Sequence, residues 1–135
     1  MTIRTRRYRQ PTEVDLAVED LPRVERRART AITTALTAEL ELEMRLLSSP
    51  DGRAERWAML AEAMQRAAEP SGWRVEGPNY GQSLIEAHNR FGGYLDLRLV
   101  DGELMLISGW SGGGVLGRHV FELAPGVAEA LAGQQ

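Results

Sequence analysis

The residues best placed for chemistry lie in one glycine-rich run, Gly109-Trp110-Ser111-Gly112-Gly113-Gly114-Val115-Leu116-Gly117. Its first half satisfies G-x-S-x-G, in which a serine sits on a strained strand-to-helix turn and is activated by later acid and histidine partners. Ser111 would be the nucleophile and His119 the base. The second half satisfies G-x-G-x-x-G, which in a dinucleotide fold opens a helix and precedes an acid about 20 residues on. The context expected for either motif is missing. Residues 118–123 alternate as a strand rather than a helix, and too little sequence follows Gly117 for a second strand and crevice. Arg118 stands where a phosphate-binding loop of the Walker type needs lysine. Three roles remain for the run. It is a connection needing positive φ, a partner contact through Trp110, or a nest in which the N–H groups of Gly112, Gly113 and Gly114 wrap an anion beside Arg118.

Metal and thiol chemistry have few carriers. There is no cysteine, which excludes disulfides, thiol catalysis and thiolate metal sites. Two histidines, His88 and His119, with Glu86 or Asp96 would make at most a weak site if the strands brought them together. His119 and Glu122 point to opposite faces of a strand and cannot share an ion. No cofactor and no metal are expected.

Arginine is the other carrier of chemistry. All 16 basic residues are arginine, which together with abundant alanine reflects a G+C-rich coding bias. The net charge of −3 argues against general nucleic-acid binding. Locally, though, Arg4, Arg6, Arg7, Arg9 and the cluster at 23–29 make a basic N-terminal third that would suit a nucleic-acid accessory protein. Arg23, Arg26, Arg27 and Arg29 crowd the start of one candidate helix, while Glu39, Glu41 and Glu43 lie near its end. The helix dipole favours the reverse layout, by roughly 0.3–1 kcal/mol per charge. An antiparallel second copy, with a two-fold axis near Thr33 and Thr34, would set each arginine end against a glutamate end. The expected state is therefore a homodimer.

Positioning these residues requires the following elements. Residues 1–20 read as a flexible charged arm, and 21–135 as a single domain. Asp20 and Pro22 open a helix over 21–47, with Val24, Ala28, Ala31, Ala35 and Leu42 on one line of a wide apolar face and Ile32, Leu36, Leu40, Met44 and Leu47 on the adjacent one. Ser48–Gly52 breaks it, and a second helix over 53–69 carries Trp57, Leu60, Ala61, Met64 and Ala68 on one face. A short connection makes the two an antiparallel helical hairpin. The period then changes to two, predicting a sheet over about 73–123. Asp101-Gly102 is a type I′ turn that pairs Leu99 with Leu104, Leu97 with Leu106 and Leu95 with Ser108. Residues 83–91 fit strand or helix, and strand is favoured because sheets need neighbours. A short helix over about 125–132 closes the chain. The fold class is α+β: an N-terminal antiparallel helical hairpin packed on a C-terminal antiparallel β-meander, with a short C-terminal helix.

At 135 residues, with 43% hydrophobic and 26% charged residues, the composition is that of a globular domain. The basic N-terminus lacks the apolar region of a secretory signal, and no stretch reaches the ~20 apolar residues of a membrane span. A cytoplasmic location is expected. The expected function is a non-enzymatic binding, adaptor or assembly protein acting as a homodimer, with a protein partner. The alternatives are a ligand binder or hydrolase-like enzyme using 109–119, and the nucleic-acid accessory protein above.

Overall fold

The computed structural model describes residues 12–41, 50–78 and 84–133. The order is a long helix α1 (Glu13–Thr34) running into a π-helical segment (Ala35–Leu40), then helix α2 (Pro50–Ala68) and a 3-10 turn (Glu69–Ser71). Five strands follow: β1 (Arg74–Glu76), β2 (Leu84–His88), β3 (Gly93–Val100), β4 (Glu103–Trp110) and β5 (Gly114–Val120), before helix α3 (Val127–Ala132). The strands pair antiparallel in sequence order, a five-stranded meander. One face carries Ile85, Ala87, Leu95, Leu97, Leu104 and Leu106, all buried against α1 and α2. The α+β architecture is the one the sequence predicts.

The helices differ from expectation at their ends. α1 begins at Glu13 rather than at 21, so Pro22 lies inside it and not in the first turn. Asp20 is not a cap. Its carboxylate accepts a hydrogen bond from Trp73 Nε1 at 3.2 Å and pairs with Arg23. A contact between residues 53 apart has no local signature, and such contacts override propensity. Residues 1–11 of the expected arm, and Leu42, Glu43, Met44 and Leu47 at the far end of the expected helix, lie outside the described residues.

The π segment answers a problem of phase. An α-helix turns about 100° per residue, so each step in Ile32–Leu36–Leu40 drifts by roughly 40°. That drift would carry Leu40 to the rim of the apolar stripe. Wider i→i+5 turns absorb it, and Leu36 and Leu40 are both buried. Threonine accompanies the change. The hydroxyls of Thr30, Thr33, Thr34 and Thr37 each donate to the carbonyl four residues back, at 2.9–3.0 Å. Such back-bonds loosen and bend helices.

The β3–β4 hairpin has the expected register, with Leu99 opposite Leu104, Leu97 opposite Leu106 and Leu95 opposite Ser108. Asp101 (φ 51°) and Gly102 (φ 80°) are both left-handed, as a type I′ turn requires. Residues 84–88 form a strand, the favoured alternative. β5 begins at Gly114, not at 118, because Trp110 pairs with Gly114 and Gly109 with Val115. A register shift at Ser108/Gly109 absorbs the extra residue.

The C-terminal helix is too short to stand alone. α2 holds it by its last carbonyls. Trp57 Nε1 donates to Leu131 O at 2.9 Å, Arg53 Nε to the same oxygen at 3.2 Å, and Arg56 Nη1 to Ala130 O at 3.1 Å. Two guanidinium groups thus meet the negative end of the α3 dipole.

Candidate functional site

The glycine-rich run is a tight hairpin end, with Ser111–Gly113 as its turn. Two of its N–H groups are already used. Gly113 N donates to Trp110 O at 2.8 Å, and Ser111 N to Gly92 O at 2.8 Å. The Ser111 hydroxyl also donates to Gly92 O, at 2.8 Å. Ser111 therefore stitches the β4–β5 turn to the β2–β3 turn. His119 lies five residues beyond Gly114 along β5, about 17 Å at the usual rise. Its ring packs edge-on against Phe121, with centroids 4.8 Å apart. No nucleophile–base pair is formed, and a strand follows Ser111 where an elbow needs a helix. Arg118 sits opposite Ile107, on the helix-free face and away from Gly112, Gly113 and Gly114. Trp110 is half-buried at the end of β4.

His88 and His119 do not meet. They stand on β2 and β5 with two strands between them, about 14 Å apart at the usual strand spacing. His88 instead approaches Glu86 at 3.8 Å. Among the described residues, no group of three or more His, Cys, Asp or Glu could hold a metal ion.

The arginine cluster divides by partner. Arg23 pairs with Asp20, and Arg29 lies 4.0 Å from Glu25. Arg26 and Arg27 are exposed and make no ion pair among the described residues. They line a groove of about 470 Å³ between α1 and α2, floored by Thr30, Ala31 and Ala67. Arg66 of α2 lines the same groove and reaches Glu62 at 3.6 Å on the open surface. Three guanidinium groups thus border one furrow of a chain whose net charge is −3. Glu41 is half-buried at the end of the π segment. Glu43 and the side chain of Glu39 lie outside the described residues.

A larger cleft, about 730 Å³, opens where α1 meets the α2–β1 and β2–β3 connections. Glu19, Asp20 and Arg23 form its helical wall, and Asn89, Arg90 and Phe91 the opposite one, with Ser71 and Gly72 between. Asn89 Oδ1 accepts the N–H groups of Phe91 and Gly93, at 3.0 and 2.7 Å, which fixes the amide orientation. The Arg90 guanidinium lies 4.7 Å from the Phe91 ring centroid.

Sequence reasoning placed Arg26 and Arg27 on one helix but missed Arg66, because the register between two packed helices leaves no pattern in either one. It missed the cleft for the same reason. No family model, no curated protein and no solved structure matches this chain.

Proposed function

We propose that the chain is a binding and assembly protein that pairs with a second copy of itself through α1, without chemistry of its own. The observation that carries this is the furrow bordered by Arg26, Arg27 and Arg66, in which two of the three guanidinium groups lack an ion-pair partner among the described residues. Arginine in such a furrow suits carboxylates, which it holds by paired hydrogen bonds. The acidic stretch Glu39, Glu41 and Glu43, further along the sequence, supplies them. An antiparallel copy turned about a point near Thr33 and Thr34 brings that stretch to the furrow.

The threonines favour the same arrangement. Thr30, Thr33, Thr34 and Thr37 are exposed, yet their hydroxyls already donate within the helix. They can enter an interface without leaving a polar group unsatisfied, and they present methyl groups to the partner.

Sedimentation velocity of the full chain tests the proposal. It expects a species at twice the 15.0 kDa monomer mass that dissociates when Arg26→Glu and Arg27→Glu are combined. A wild-type chain that stays monomeric at low salt and high concentration would overturn it.

A further inference from the structure

β5 is the last strand of the sheet, so one of its long edges meets no other strand among the described residues. Phe121 N donates to Leu104 O, and His119 stands opposite Leu106. Antiparallel pairing alternates bonded and non-bonded positions, so His119 also turns its main-chain groups toward β4. Those of Arg118 and Val120 point away from the sheet, and among the described residues no hydrogen bond engages them. Leu116 is the extra residue of the bulge, since Gly117 and Val115 face adjacent residues of β4. The regular open edge therefore runs over Gly117–Val120.

This edge is apolar. Val115, Leu116 and Val120 are three of the five exposed large hydrophobic side chains among the described residues. Open edges are templates for another strand, and proteins blunt them with proline, lysine or other charges. Here a single charge does so. Arg118 is exposed on the helix-free face, on the same side of β5 as Val120, and β5 contains no acid. Arg118 makes no ion pair among the described residues. It also decides what can pair. A second copy of β5, in the antiparallel register that uses the outward groups of both Arg118 and Val120, would set the two Arg118 side chains diagonally on one face, where like charges repel. A strand carrying a carboxylate at that place is attracted instead.

We propose that the β5 edge binds an extended acidic peptide, which adds to the sheet as a sixth, antiparallel strand. The peptide residue opposite Arg118 exchanges main-chain hydrogen bonds with it and carries the carboxylate, and the residue opposite Val120 is apolar.

The probe is the capped heptapeptide Thr-Val-Val-Thr-Glu-Val-Thr, titrated into the full-length chain at low ionic strength. Hydrogen exchange by NMR reads the main-chain amides. Saturable binding is expected, with exchange slowed at the Arg118 and Val120 amides. Replacing the peptide's glutamate by lysine should weaken binding by about threefold to fivefold, and N-methylation of alternate peptide residues should abolish it. Arg118→Glu should reverse the order of the glutamate and lysine peptides. The Arg26→Glu/Arg27→Glu variant should bind as the wild type does, which separates this edge from the assembly surface. Three results would overturn the proposal: no slowing at these two amides with peptide up to roughly 10 mM, the same peptide order in a folded Arg118→Glu chain, or protection of both amides without peptide that rises with protein concentration, which would make a second copy the occupant.

Discussion

Gly109 is the position where the β4–β5 hairpin tolerates least. A Cβ placed there would lie 2.3 Å from the Gly114 carbonyl oxygen and 2.4 Å from the Tyr94 hydroxyl. Its φ is not positive, so the whole cost of Gly109→Ala is steric. One obstacle is a side chain that can swing away. The other is the backbone of the neighbouring strand, which cannot move without opening the Trp110–Gly114 and Gly109–Val115 pairs. Overpacking of this kind costs about 1–3 kcal/mol, and the backbone clash puts Gly109→Ala near the upper end. At roughly 4 °C per kcal/mol for a domain of this size, the midpoint should fall by about 8–12 °C. Thermal and urea denaturation of Gly109→Ala, Tyr94→Leu and the double variant measure it. Removing the phenol should recover only part of the loss, since Gly114 O stays in place. A change within about 0.5 kcal/mol, or full recovery in the Tyr94→Leu background, would refute the reasoning.

Three further outcomes follow from other contacts. Gly102→Ala should cost about 1 kcal/mol because φ is 80°, with no steric part since nothing lies within 4 Å of its Cβ, and Gly102→Asn should cost less; urea midpoints check both. Trp57→Phe removes one of the two donors to Leu131 O, the one from a fully buried site, so hydrogen exchange at the Ala130 amide should accelerate more than exchange in β3. Ser111→Ala should cost about 1 kcal/mol, the worth of one exposed hydrogen bond to Gly92 O, seen as a small loss of thermal midpoint.

What was legible in the sequence was local. Asp101-Gly102 set a turn, and the turn set the pairing of every leucine in β3 and β4, because a slip of one residue would turn each to the wrong face. The apolar steps of α1 and α2 marked their buried faces for the same reason. Contacts between distant segments left no such trace. Trp73 anchors Asp20, and that bond explains why the helix continues upstream of Pro22, where a local signal placed its start. The glycine-rich run misled in the opposite way. Its glycines match two catalytic motifs, but they serve a three-residue turn, a bulge and a close approach of Tyr94. Arg26 and Arg27 were identified by type, while the furrow that gathers them with Arg66 arises only from helix packing.

The most direct measurement is a charge swap at constant net charge, read by sedimentation equilibrium. The Arg26→Glu/Arg27→Glu variant and the Glu41→Arg/Glu43→Arg variant should each be monomeric, and the four substitutions together should restore the dimer while keeping the wild-type net charge of −3. The restored dimer should weaken as salt rises past about 0.15 M, as screened surface pairs do. A fourfold variant that stays monomeric, or single-end variants that dimerise as tightly as the wild type, would contradict assembly through the arginine furrow.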